Sequence, residues 1–336
     1  MPLIGRRLQC PGGNRILDGR ARSVAPQECV VSLLDAIGNT PLIELTRIVP
    51  AGCGRIFAKL ESANPTGSMK DRMARAAVTQ AVAAGRLRPG GTAVEYTAGT
   101  TGISLAMVCS VLGYPLDIVF SDAFSIEKRR TMEAFSARIV DVPSEGGQIN
   151  ERLIKGMIAK ADELSRQPGY WYCDQLNNHD AIGGYLPMGE EIWRQTGGKL
   201  DAFVHAVGTA HAIHGATEAL WSHAPGIEVV AVEPQESAVL SGQASGSHKI
   251  EGIGIGFVPP LWHREQVNRI ETVPTEDAKA MARRLAREEG VFAGTSTGAN
   301  VVAALRVGQR LGPKSTVVTI VCDSGLRYLS TDLFAA

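Results

Sequence analysis

The sequence predicts an α/β fold made of two three-layer αβα lobes with mostly parallel sheets. Short apolar segments of strand length alternate with amphipathic segments of helix length. The apolar segments are nearly continuous, as in strands covered on both faces. The alternation runs through both halves of a 336-residue chain, with a seam near Asp174–Gly184. That length suffices for two domains packed as one unit.

Taken in order, residues 1–32 are rich in Gly, Pro and Arg, lack periodicity and read as a loose N-terminal arm. Thr40–Leu45 (TPLIEL) and Arg55–Glu61 (RIFAKLE) read as strands. Lys70–Gly85 holds strong helix formers and ends in a glycine suited to a C-cap. Strands are expected at Thr92–Thr97, Pro115–Ser121 and Arg138–Pro143, separated by helices at Thr101–Gly113 and Ser125–Ala137, the latter with Lys and Arg on a polar face. Ile149–Gln167 is an amphipathic helix. The second half repeats the rhythm. Strands are expected at Leu200–Gly208, Ile227–Pro234 and Ser315–Gly325, and helices at His211–Ser222, Thr275–Gly290 (N-cap Thr275) and Gly298–Gly312.

Bulk chemistry removes several function classes. Hydrophobic residues make up 44% and charged residues 20%, the balance of a soluble globular protein. Lys+Arg and Asp+Glu both number 34, so there is no electrostatic footprint for nucleic acid or an anionic membrane. No uninterrupted apolar run reaches the roughly 18 residues of a spanning helix. The N-terminus has basic residues without an apolar core after them, so no secretory signal is expected. The six cysteines (Cys10, Cys29, Cys53, Cys109, Cys173, Cys322) are scattered without a C-x-x-C pair, and they read as thiols in a reducing, cytoplasmic compartment rather than as disulfides or metal ligands. Cys10-Pro11 alone is weak support for a haem ligand.

Several strand exits share glycines mixed with hydroxyls: Thr97–Gly102 (TAGTTG), Gly208–Ala212 (GTAHA), Gly252–Gly256 (GIGIG), Gly294–Gly298 (GTSTG) and Asp323–Gly325 (DSG). Glycine lets backbone N–H groups approach a ligand, and a helix N-terminus favours an anion, so these loops suit carboxylates and phosphates. No P-loop, no G-x-G-x-x-G fingerprint opening a helix and no G-x-S-x-G elbow is present. The seven histidines include one close pair, His211 and His214, without a third ligand at metal spacing, and no metal is expected. Lys70 poses a separate question. It stands at the start of a helix, where the dipole disfavours a cation, so it is either a solvated surface amine or one kept for covalent chemistry.

Asn64–Arg72 (NPTGSMKDR) resembles the cofactor-lysine motif of the cysteine synthase / cystathionine β-synthase family of fold type II pyridoxal-phosphate enzymes. Ile37–Leu45, Ile250–Pro259, Gly294–Asn300 and Asp323–Thr331 resemble other signatures of that family, in its order and at similar spacings, so the resemblance runs from about Leu33 to Thr331. It implies a tryptophan synthase β-like fold. Residues 50–176 would form a smaller lobe carrying Lys70 and the substrate loop, and 33–49 with 177–336 a larger lobe carrying the phosphate loop and Ser296. It implies that Lys70 binds pyridoxal 5'-phosphate as an imine, then acts as the base at Cα once released. Ser296 would face the pyridine nitrogen. Gly208, Thr209, Ala210, His211 and Ala212 would cradle the phosphate. Thr97, Ala98, Gly99, Thr101 and Gln175 would hold the substrate carboxylate, with Thr100 toward the cofactor's phenolic oxygen, and Gly254 and Ile255 would lie beside the substrate.

Three departures stand out. Ala98-Gly99-Thr100-Thr101-Gly102 replaces the family's Ser-Gly-Asn-Thr-Gly, which removes one carboxylate donor and shortens the reach to the phenolic oxygen. Gly208–Ala212 replaces Gly-Thr-Gly-Gly-Thr. Its backbone donors survive an alanine at 210 if φ stays negative, and His211 either replaces the lost hydroxyl or faces solvent. Ile255 stands in place of a common alanine and narrows the pocket. The implied reaction is β-replacement on an O-activated L-serine (O-acetyl- or O-phosphoserine) by a small nucleophile, sulfide or a thiol, through an aminoacrylate. The alternative is a β-elimination lyase releasing a keto acid. The implied assembly is a homodimer, with no regulatory domain after the last motif and neither nucleic acid nor membrane as partner.

Overall fold

The computed structural model describes residues 32–147 and 151–335. The expected arm, with Cys10 and Cys29, lies outside them except for Ser32, whose hydroxyl accepts from Leu34 N at 3.2 Å and caps a short 3-10 turn. The start of the helix expected at Ile149 also lies outside them.

Strand β1 (Leu42–Leu45) pairs antiparallel with β2 (Arg55–Leu60). Next come α1 (Lys70–Ala83), β3 (Thr92–Tyr96), α2 (Thr100–Leu112), β4 (Leu116–Phe120), α3 (Ile126–Ala134), β5 (Arg138–Asp141), α4 (Glu151–Ser165) and β6 (Tyr170–Tyr172). Then follow α5 (Asp180–Gly183), α6 (Leu186–Gln195), β7 (Ala202–Ala206), α7 (His211–His223), β8 (Glu228–Pro234), β9 (Arg269–Val273), α8 (Thr275–Arg284), α9 (Thr295–Leu311) and β10 (Thr316–Val321). A four-stranded sheet runs in the order β5-β4-β3-β6, all parallel, and a six-stranded sheet in the order β1-β2-β10-β7-β8-β9, parallel apart from β1. The α/β architecture with mostly parallel sheets is therefore present as expected.

The central strands explain themselves. Every residue of β4, β7 and β10 is buried, and the apolar runs LDIVF, AFVHA and TVVTIV supply side chains to both covering layers. Each fully buried Val or Ile there contributes about 1.5–3 kcal/mol relative to exposure. Helix α2 ends where Gly113 takes φ +76°, and α1 ends just before Gly85 at φ +69°.

Two expectations are corrected. Strand β2 belongs to the larger sheet, since Ile56 pairs in register with Val317 and shares its apolar core. The chain therefore enters the smaller sheet after Leu60, not at residue 50. Thr275 is the first helical residue rather than the N-cap; Pro274 holds the cap position, and the Thr275 hydroxyl accepts from Lys249 N at 3.2 Å.

Both sheets contain a switch point, where successive connections leave to opposite sides. In the smaller sheet it lies between β3 and β6, and in the larger between β7 and β10. Ligands of open α/β sheets sit beyond the carboxyl ends of strands at such points. The loops that follow these strands are Thr97–Gly99, Cys173–Gln175, Val207–Ala210 and Cys322–Ser324.

Candidate active site

Lys70 is the first residue of α1 and is half-buried. The turn before it is pinned to the exit of β10. Met69 N donates to Cys322 O at 2.9 Å, Ser68 bridges to Asp323, and Lys70 N donates to the Ser68 hydroxyl at 3.1 Å. Asp71, buried, accepts from Thr66 N at 2.8 Å, Thr66 Oγ1 at 2.5 Å and Ser104 Oγ at 2.6 Å, which ties the turn to α2. Arg72 is buried between Glu61 (2.7 and 2.8 Å) and Glu191 (2.9 and 2.7 Å). Removing one member of such a buried network costs about 3–5 kcal/mol, so the start of α1 is rigid. Burial pushes the Lys70 amine below the usual lysine range, with Cys322 and Asp323 opposing the shift. This disposes of the surface-amine reading.

The loop after β3 is self-supporting. The Thr97 hydroxyl accepts from Gly99 N at 2.9 Å and Gly102 N at 3.4 Å, and Gly99 caps α2 with φ +133°. The Thr101 hydroxyl donates to Gln175 Oε1 at 2.9 Å across the switch point, and Gln175 Nε2 donates to Tyr96 O at 2.9 Å. Ala98 is exposed, Thr100 is half-buried at the helix start and Thr101 is buried. Beneath the loop, Glu95 is fully buried and accepts from Gln175 N at 3.0 Å and Tyr96 N at 2.9 Å; burial outweighs these bonds and pushes its carboxyl up to about 8.

The loop after β7 leads into α7. Gly208 approaches the loop after β8 so closely that a Cβ there would lie 2.5 Å from Gly252 O. Ala210 caps α7 with φ +71°, so the condition of a negative φ is not met: the tight entry to the helix places an L-residue in the left-handed region, at about 1–2 kcal/mol. His211 is buried, not solvent-facing. Its Nδ1 lies 2.9 Å from Thr209 Oγ1 and its Nε2 is buried without a partner. Burial, then Lys70, His214 and His179, lowers its pKa to about 3, which keeps the ring neutral. Ala212 is buried in the first turn.

Ser296, in the first turn of α9, is buried, and beside it the Thr297 hydroxyl accepts from Cys322 N at 3.0 Å; burial pushes the Cys322 thiol up to about 12. The Cys322 backbone thus joins the turn that carries Lys70, through Met69 N at 2.9 Å, to the first turn of α9 that carries Ser296. Asn300 fixes α9 by accepting from Ala206 N at 2.7 Å and donating to Ile320 O at 2.8 Å. Ile255, half-buried, packs with Phe257 against the cluster containing Tyr96 and Leu176, which flank the loops after β3 and β6. Gly254, at φ +62°, sits beside it, and its carbonyl lies 2.7 Å from His248 Nε2.

The contacts above tie together the turns into α1 and α9 and, separately, Thr101 and Gln175, and four further titratable side chains are buried near these loops. His205 is buried in β7 with a pKa lowered to about 3 by burial and Lys70. Asp323 is buried, with Oδ2 accepting from Tyr328 OH at 2.7 Å and Oδ1 unpartnered; burial raises its pKa. Glu95 and Lys128 complete the set. Only Asp323 lay in a loop that sequence reasoning had marked. His205 and Glu95 read as strand residues, and Lys128 reads as a charge on the polar face of its helix. An open cavity of about 690 Å³ is lined from α1 by Arg72 and Arg75 but not by Lys70. Cys53, Cys109, Cys173 and Cys322 are free and buried. Among the described residues, no helix is long and apolar enough to cross a membrane.

The sequence matches the family of pyridoxal-phosphate dependent enzymes over residues 33–323. A cysteine synthase of Staphylococcus aureus (strain Mu50 / ATCC 700699) is 39% identical over 316 residues, covering 92% of this chain and 98% of that protein. Among solved structures, the cysteine synthase of Entamoeba histolytica matches with a TM-score of 0.88 at 36% identity, over 94% of this chain and 93% of its own. An O-ureido-L-serine synthase matches with a TM-score of 0.85 at 36% identity, over 91% of this chain and 96% of its own. With a half-buried lysine at the start of α1 and a shared two-sheet fold, the chain belongs to the fold type II pyridoxal-phosphate dependent enzymes, and it is an enzyme of the cysteine synthase type.

Proposed function

We propose that this enzyme replaces the β-substituent of an O-activated L-serine, O-acetyl- or O-phosphoserine, with a small nucleophile, sulfide or a thiol. The observation that supports this reading is that the turns carrying Lys70 and Ser296 both bond to Cys322 at the exit of β10, while Asp71, next to Lys70, is bonded to Ser104 of the helix that the Thr97–Thr101 loop opens. A cysteine synthase among the relatives supports the serine ester, and an O-ureido-L-serine synthase among the neighbours leaves the nucleophile as the variable part.

The residues fit pyridoxal phosphate. The unpartnered, buried Nε2 of His211 and the free N–H groups at the start of α7 suit its phosphate, with Gly208, Thr209 and Ala212 in the same cradle. The neutral Ser296 hydroxyl suits the ring nitrogen and leaves it unprotonated. When bound, the cofactor draws electron density from the Cα of the amino acid. Lys70 Nζ, its pKa lowered by burial, is the group placed to take the Cα proton once it is released. Backbone N–H groups of Thr100 and Thr101 would hold the carboxylate, since Gly99 N already donates to the Thr97 hydroxyl, and Gln175 holds Thr101 through Oε1 while its Nε2, the group able to donate to a carboxylate, donates to Tyr96 O. Thr100 faces the phenolic oxygen.

Ile255, wedged against the Tyr96 cluster, favours β-elimination as a second reading, because it limits room for a nucleophile. Mixing the enzyme with O-acetylserine and sulfide separates the two. Cysteine formed in step with ester consumed supports replacement, whereas keto acid formed at the same rate without sulfide supports elimination. The four buried free thiols support a reducing, cytoplasmic setting. The assembly is read as a homodimer by likeness to the family, and sedimentation tests it.

A further inference from the structure

Helix α3 carries Lys128, Arg129 and Arg130 in succession, the pattern of a solvated face. Arg129 behaves so, pairing with Glu133 at 2.9 Å and Asp141 at 2.5 Å on the surface. Lys128 does not. Its side chain is 5% exposed and runs inward to the substrate loop. A Cβ built on Gly99 would lie 2.3 Å from Lys128 Cδ and 3.0 Å from Cγ, so the lysine stem fills the space a side chain at 99 would take. The ammonium pairs with Glu251, which belongs to the loop between β8 and β9. It also lies 5.6 Å from the centre of the Tyr328 ring, whose hydroxyl bonds Asp323. Glu251 N donates to Thr295 Oγ1 at 3.0 Å, one residue before Ser296. The neighbouring Glu127 accepts from Ser330 Oγ at 2.9 Å. One buried cation on a helix of the smaller sheet is thus clamped by groups of the larger sheet, directly behind Gly99.

We propose that Lys128 is a positioning residue for the substrate carboxylate: it fixes Gly99 through its stem, and Glu251 fixes the lysine through its charge. The proposal rests on the reading of Thr97–Thr101 as the carboxylate loop. Burying an ammonium beside one carboxylate is tolerable only while the pair persists, and loss of one partner is worse than loss of both. Packing and charge are therefore separable. Lys128→Met keeps a stem of similar length without the ammonium; Glu251→Gln leaves the ammonium without its counter-charge.

The test measures the dissociation constant of O-acetylserine from the absorbance change of the holoenzyme, alongside KM, kcat and Tm. Lys128→Met should weaken substrate binding about tenfold with kcat nearly unchanged, and Glu251→Gln should weaken it more. The double variant should match Lys128→Met alone, the non-additivity expected of one coupled pair. A Lys128→Met dissociation constant within about twofold of wild type, or additive effects in the double variant, overturns the proposal. So does a fall in Tm without a change in binding. A wild-type holoenzyme whose absorbance ignores the serine ester overturns the carboxylate-loop reading and the Lys128 role together.

Discussion

The loop after β3 and the loop after β7 both turn a parallel strand into a helix N-terminus, yet they satisfy themselves differently. The first places glycine at its strained position, Gly99 at φ +133°, and uses its hydroxyls internally: Thr97 accepts from Gly99 N, and Thr101 donates to Gln175. The second places alanine at φ +71° and leaves a buried imidazole nitrogen of His211 without a partner. A loop that meets a substrate only during turnover must hold its shape when empty. On the proposed function the second loop holds a resident anion, and that ligand would complete the unpartnered nitrogen and offset the strain.

The largest effect that would break this contrast is expected at Gly99. In Gly99→Ala the new Cβ meets Lys128 Cδ at 2.3 Å in a backbone region that L-residues avoid. Substrate affinity should fall about a hundredfold, roughly 2.7 kcal/mol, while cofactor content is kept. Affinity close to wild type would mean the loop yields easily and is not preformed.

The next concerns the floor of the same loop. Glu95 has a folded-state pKa of about 8 against 4.5 when free. Below 4.5 it is protonated in both states and carries no penalty. As pH rises from 4.5 toward 8, the unfolded chain releases the proton while the folded protein keeps it, so stability falls, by a few kcal/mol at most, and levels off above 8. Denaturant midpoints of Glu95→Gln should lack this decline; parallel curves for the two proteins would contradict the assignment.

Two smaller effects sharpen the phosphate side. His211→Phe keeps a ring but no donor, so pyridoxal phosphate should be held about tenfold less tightly, roughly 1.4 kcal/mol. Equal affinity by cofactor fluorescence would show that Nε2 does not meet the phosphate. Ala210→Gly should raise stability by about 1 kcal/mol through relief of the left-handed alanine; an unchanged or lower unfolding midpoint would show that the strain is not stored there.

How far these features could be foreseen depended on their range along the chain. The βα alternation was legible because buried parallel strands need continuous apolar runs, and Lys70 stood out because a cation at a helix start is electrostatically odd. β6 was not, because three residues make no pattern. α6 carries a readable spacing, with Met188 and Ile192 one turn apart and buried, but its leading Leu-Pro and the seam around it masked the period. β2 was assigned to the wrong sheet because pairing with β10 joins residues more than 250 positions apart. The sign of φ at Ala210 follows from how the loop meets Gly252, and the burial of Lys128 follows from Glu251, neither of which local sequence records.

The central claim is covalent, and its most direct measurement is reductive trapping. The holoenzyme is treated with borohydride and digested, and its peptides are mapped by mass spectrometry. The account predicts a single pyridoxyl group on the peptide containing Lys70, lost in Lys70→Ala. A pyridoxyl group on another lysine, or none on any peptide of a protein that has bound the cofactor, would contradict it.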